Sequence, residues 1–216
     1  MKKIIMTLMV AMLPFCMNAQ NTGLFGKKNT SNKVTDFTPY MQGAVPVENG
    51  LVTFSKTLTA TGKSKEELYR QIASWASARY MPNIENGKWT DPDYFRNLAY
   101  SSVKVVGDAS ASTTQITCQG NEEIVFSNKI LERDFAEIEY KLNISINDGT
   151  VKATMTNISY VYTFTSERER FTAETYITDD TAFNKKGNFI KQNRKFRVKT
   201  VDLANELFAE IETVIK

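Results

Sequence analysis

KLNISINDGTVKATMT, residues 141–156, decides the fold. Apolar and polar residues alternate on both sides of Asp148-Gly149, a pair suited to a two-residue turn whose central positions need positive φ. That register sets Ile146 opposite Val151, Ile144 opposite Ala153 and Leu142 opposite Met155. Asn143, Ser145, Lys152 and Thr154 then share the other face. One face is dry and the other wet, as in an antiparallel sheet covered on one side. Beyond Met155 the phase reverses, because Ile158, Tyr160 and Tyr162 fall out of step with Ala153 and Met155. One extra residue near Thr156-Asn157 restores the apolar face, so a bulge is expected there.

Further strands are expected in AYSSVKVVG, TTQITC, EEIVFS and FAEIEYKLNISIN, and in LVTFSKTLTA after the Glu48-Asn49-Gly50 turn. Val52, Phe54 and Leu58 share one face of that last strand, and Lys56 interrupts them. Two helices complete the pattern. Ser64 and Glu67 form a capping box ahead of Leu68, Ile72, Trp75 and Ala76, and Pro82 stops the helix. In TVDLANELFAEIETVIK, the stripe Ala204, Leu207, Phe208, Ile211, Val214 and Ile215 predicts a second helix, capped by Thr200 or Asp202. Residues 165–199 read as charged and irregular, with a short helix at 174–177 or 181–184. The expected fold class is α+β: a curved antiparallel sheet with two helices packed on one face, in the order β-α-β-β-β-β-α.

The chain opens MKKIIMTLMVAMLPFCMNAQ. Two lysines, a short apolar run and Ala19 before a cleavage point make the pattern of a secretory signal, residues 1–19. The run is too short to be a permanent membrane helix. Lipidation of Cys16 is the rival reading, and bulky Phe15 fits that peptidase badly. Residues 20–39 read as a polar, glycine-containing tether, and residues 40–216 as one domain. An exported location in the periplasm or envelope follows. Lys2 and Lys3 account for two of the 27 basic residues, which otherwise nearly balance 24 acids. That balance argues against a nucleic-acid surface. The chain has no histidine, and cleavage leaves Cys118 as its single cysteine, which removes the commonest general base and any intramolecular disulfide.

The stretches YMQGAVPVENGLVTFSKTL, GKSKEELYRQIASWA and ISYVYTF, with ERFTAETYITDDTAFNKK and KFRVKTVDLANELF, resemble a family of secreted Bacteroidota proteins. That family is a domain of unknown function with a TATA-binding-protein-like fold. The resemblance covers residues 40–216. It implies an exported protein with the β-α-β-β-β-β-α core and no assigned activity. It does not imply DNA binding, since a fold does not fix a function.

Each candidate site has a plain structural alternative. Trp75, Tyr80, Trp89, Tyr94, Phe95 and Tyr100 could line an apolar groove between helix and sheet, or simply close the core. Asp179, Asp180 and Glu174 could take a hard cation, but calcium-loop spacing is missing and turn or cap chemistry serves as well. Glu167, Arg168, Glu169 and Arg170 could form a recognition surface or a solvated strand end. Lys185, Lys186, Lys191, Arg194, Lys195, Arg197 and Lys199, with Phe189 and Phe196, could meet an anionic glycan or lipid headgroup, or be a solvated surface. Cys118 reads as a small buried residue.

No catalytic, metal or cofactor constellation stands out. The leading expectation is a non-catalytic exported binding module for an envelope protein, glycan or apolar ligand, with no nucleic-acid partner. A carboxylate hydrolase drawing on Asp91, Asp93, Glu174 and Asp179 is the alternative. A structural component of an envelope assembly is the third.

Overall fold

The hairpin at 141–156 forms in the register that the alternation demands: Ile146 faces Val151, Ile144 faces Ala153 and Leu142 faces Met155. All six side chains are buried. The turn differs in detail. Only Gly149 takes a positive φ, 66°. Asp148 instead uses its carboxylate to accept the Lys65 N–H (2.9 Å), while Gly149 N–H donates to the Lys63 carbonyl (3.0 Å). The hairpin tip is therefore docked onto the loop that starts the first helix, and that contact replaces the mirror-image turn expected for an isolated ribbon.

The structure is a computed structural model. It describes residues 36–80, 84–85, 88–89, 102–106, 114–129, 132–164 and 166–216. A 3-10 turn at Thr38–Tyr40 precedes β1 (Val47–Glu48), β2 (Leu51–Val52), β3 (Phe54–Thr59) and helix α1 (Lys65–Tyr80). Then come β4 (Ile84–Glu85), β5 (Lys88–Trp89), β6 (Ser102–Val106), β7 (Thr114–Lys129), β8 (Glu132–Asn147) and β9 (Thr150–Phe164). The chain ends with β10 (Glu167–Thr172), α2 (Ala173–Tyr176), α3 (Asp179–Ala182) and α4 (Lys191–Ile215).

The main sheet is antiparallel and runs β10-β9-β8-β7-β6. β9 is long enough to serve two edge partners: residues 150–155 pair with β3 and residues 159–164 with β10. The expected bulge lies on β9. Glu139 faces Ser159 and Lys141 faces Thr156, so Asn157 and Ile158 together oppose Tyr140. Asn157 takes φ 53°, and the shift returns Ile158 and Tyr160 to the buried face.

Helices α1 and α4 pack on one face of this sheet. Ser64 Oγ accepts the Glu67 N–H (3.2 Å), as the capping box predicts. Leu68, Ile72, Trp75, Ala76 and Tyr80 are buried along α1. Each large member contributes about 1.5–3 kcal/mol by leaving water. Lys56 stays exposed at the edge of β3 and reaches Glu212 of α4 at 2.9 Å.

Three expectations need correction. The C-terminal helix starts at Lys191, so Thr200 and Asp202 lie inside it and do not cap it. The buried stripe simply continues backwards through Phe196 and Thr200, hidden in sequence by the surrounding charges. TTQITC and EEIVFS are one strand, β7, not two. Gly120 between them is no turn: the Tyr140 ring occupies the space where its Cβ would stand, 2.3 Å from that position. Residues 165–199 are also not irregular throughout, since they hold β10, α2, α3 and the start of α4.

Candidate functional site

Trp75 and Tyr80 lie on the buried side of α1, with their rings 6.0 Å apart and perpendicular. Helical spacing puts Arg79 one turn beyond Trp75. On β7 the inward alternation Ile116, Cys118, Gly120, Glu122 brings a carboxylate under the end of that helix. Arg79 donates to both oxygens of Glu122 at 2.7 Å. The Tyr140 hydroxyl donates to Glu122 as well, and it lies 3.0 Å from the Tyr80 hydroxyl. From α4, Glu210 approaches Arg79 Nε at 3.5 Å and accepts the Trp75 indole N–H at 3.0 Å. Two carboxylates from different elements thus share one guanidinium between the helices and the sheet.

Burial and pairing compete in this cluster. Burial pulls the Arg79 pKa down, but Glu122 and the two tyrosines outweigh it and leave the guanidinium more firmly protonated. Burial pushes Glu210 up, against Arg79 and the Trp75 hydrogen bond. Burial also raises Tyr80 and Tyr140 well above the ordinary phenol range and Cys118 to about 12. At neutral pH the phenols and thiol are neutral. Cys118 is fully buried, and burial keeps its thiol protonated.

Of the six groove residues, the structure unites Trp75 and Tyr80 and seats both in the core. Trp89 belongs to β5, where its backbone pairs with Ile84. Tyr94, Phe95 and Tyr100 lie outside the described residues, as do Asp91, Asp93, Cys16, Pro82, the leader and most of the tether. Arg79, Glu122, Tyr140 and Glu210 were missed. Glu122 was readable as an inward-facing acid, given a continuous β7.

The acids at 174–180 fasten the N-terminal segment. Glu174 accepts the Val52 N–H (2.8 Å), and Asp179 accepts the Gly43 N–H (2.7 Å) and Arg197 (2.7 Å). Arg197 is wholly buried and also donates to the carbonyls of Tyr40, Met41 and Ile177 at 2.6–2.7 Å. Arg197 is therefore no part of a basic surface, while Lys185, Lys186 and Lys191 are exposed. Lys195 lies against Asp134 (2.8 Å) and the rings of Tyr162 (4.2 Å) and Phe126 (4.4 Å). Glu174 and Asp179 each accept a backbone N–H from the N-terminal segment. Asp180 is exposed, and among the described residues no group of three acids or cysteines could hold a metal ion.

The opposite face of the sheet carries no helix among the described residues. At the hairpin end its side chains are hydrogen-bonding ones: Thr117 donates to Asn143 (3.0 Å), and Ser145, Lys152 and Thr154 lie beside them, while farther along the same face Val125 faces Phe135 and Val161 faces Glu137. Toward the other end the strands are tied by Arg133 to Glu123 (2.6 Å), Arg168 to Glu137 (2.8 Å) and Arg170 to Glu139. The hydrogen bonds from Arg170 hold the Glu139 carboxyl below its ordinary range, against partial burial.

One antiparallel layer with two long helices on a single side defines the class: an α+β protein of TATA-binding-protein-like fold. Residues 54–161 match the family described as a domain of unknown function (DUF4468) with TBP-like fold, and the chain belongs to that family. A DUF4468 family protein from Bacteroides ovatus, known by crystal structure, is similar at 28% identity with TM-score 0.68. The match covers 84% of this chain and 96% of that one. A TBP-like protein from Parabacteroides distasonis shares the fold at 22% identity and TM-score 0.60, over 79% of this chain and 96% of that one. No curated protein matches the chain. Neither the family nor these structures carries a named function.

Proposed function

We propose that this protein is a non-catalytic binding module of the bacterial cell envelope that presents to a partner the sheet face on which the described residues place no helix. The observation that carries this reading is the bare face itself. Its hydroxyl, amide and lysine side chains are set in rows by strand pairing and braced by three ion pairs. Side chains already engaged with one another across the strands lose less freedom on binding. The buried Arg79–Glu122–Glu210 cluster fits the same reading, since its polar atoms are engaged with one another and with Tyr140 and Trp75. The partner is an envelope protein or a glycan. The near balance of charge argues against nucleic acid. The basic, apolar and small-residue segments of residues 1–19 support export.

Affinity capture from native envelope, with mass spectrometry for proteins and small molecules, tests the reading. Capture should be lost in N143R and T154R, which fill the bare face, and kept in K56M on the other side. Retention in the face variants, or turnover of ester or glycoside substrates, overturns it. Fractionation and N-terminal mass analysis test the export: mature protein should begin at Gln20.

A further inference from the structure

β10 is the outer strand of the sheet, and Glu167, Arg168, Glu169 and Arg170 are all exposed along it. Its two rows of side chains differ. Arg168 and Arg170 lie on the bare face, where Glu137 and Glu139 neutralise them. Glu167 and Glu169 lie on the helix side, opposite Phe164 and Tyr162. Neither makes an ion pair among the described residues. Beside them stand half-buried rings: Phe171 lies 4.4 Å from Tyr176 and 5.7 Å from Phe164, centroid to centroid. Glu169 is near enough to help burial and Tyr162 raise the Tyr176 phenol. A few ångströms away the chain already holds one ammonium in such surroundings, Lys195 between Tyr162, Phe126 and Asp134.

An exposed edge offers a row of backbone donors and acceptors to an added strand. The charges decide which strand fits. Residues facing each other across a sheet edge share a face. A second copy pairing symmetrically about any of residues 167–170 would therefore set Glu against Glu or Arg against Arg, which is unfavourable. We infer that β10 is a docking edge for an extended basic segment of another protein, with lysine or arginine at alternate positions. Two such side chains stand opposite Glu167 and Glu169, with their cations against the rings of Phe164 and Tyr176. The intervening residues are uncharged, because the bare-face arginines already have partners. This site is on a different part of the molecule from the sheet-face proposal and stands or falls independently.

The test uses the full chain and two capped peptides of equal composition. One alternates threonine and lysine over seven residues; the other has its three lysines together. Backbone amide shifts of β10 and fluorescence anisotropy read the binding. The alternating peptide should bind at least about tenfold more tightly than the blocked one, and about tenfold more weakly to E167Q/E169Q, consistent with two partly screened ion pairs. Added salt should weaken it. N143R should leave it unchanged, which separates this site from the sheet face. Equal binding of the two peptides, undiminished binding to E167Q/E169Q, no binding, or shifts away from β10 would each overturn the inference.

Discussion

Replacing Arg79 with leucine removes the cation that two buried carboxylates share. Arg79 and Glu122 side chains keep 11% and 9% of their exposure, so water cannot substitute for the guanidinium. In R79L at least one carboxyl must take a proton or stay charged without a cation. Protonating a glutamate whose unfolded pKa is about 4.3 costs about 1.4 kcal/mol per pH unit above that value. The loss is therefore about 3–4 kcal/mol at pH 7, within the range for breaking a buried pair. At pH 5 it falls to about 1 kcal/mol. The sign follows from linkage: a carboxyl whose folded pKa rises above its unfolded value favours the fold at low pH, and that contribution is lost as pH rises. At pH 7 the melting temperature should fall by roughly 6–16 °C, at about 2–4 °C per kcal/mol for a domain of this size. Urea denaturation of wild type and R79L at both pH values measures the difference. R79K restores charge without the two-pronged geometry and should lie between them. An equal loss at both pH values, or a loss below about 1 kcal/mol at pH 7, refutes the assignment of Glu122 and Glu210 as carboxylates that depend on Arg79.

Three other outcomes follow from the packing. G120A should cost about 1–3 kcal/mol, because its new methyl group meets the Tyr140 ring, and the G120A/Y140L double variant should lose less than the sum of the single losses; urea titration reads both. Glu212, pulled down to about 2 by hydrogen bonds from Lys216 and Lys56, should titrate near that value by NMR. Its contribution is present above the unfolded pKa and lost as pH falls, and K56M should raise the pKa. Cys118, raised to about 12 by burial, should resist iodoacetamide at pH 8 in the native protein and react fully in urea.

The two-period alternation at 141–156 and the helical stripes through Ile72 and Leu207 made the sheet and its two helices legible, because burial on one face imposes those periods. The bulge at Asn157 was legible for the same reason, as a phase error with a single remedy. The continuity of TTQITC and EEIVFS was not legible, since the Tyr140 ring that fills the space at Gly120 comes from twenty positions away, and distant packing leaves no local trace. The start of α4 was hidden because Arg197, a charged residue, is buried against carbonyls of Tyr40, Met41 and Ile177. The aromatic groove residues were visible as a composition, and the Arg79–Glu122–Glu210 contact was not, since it joins three elements far apart in the chain.

The Arg197 fastening has a mechanical consequence. Tension entering from the amino-terminal side travels along Tyr40 and Met41, whose carbonyls are both gripped by one guanidinium rooted in a 25-residue helix. The Gly43 and Val52 amides, held by Asp179 and Glu174, lie next along the same path. Bonds arranged side by side must rupture together, so the pull is delivered to the far end of the polypeptide before β3 feels it. Stretching this protein from its amino-terminal side should first strip residues 40–52 from the helices, and only then unzip the sheet.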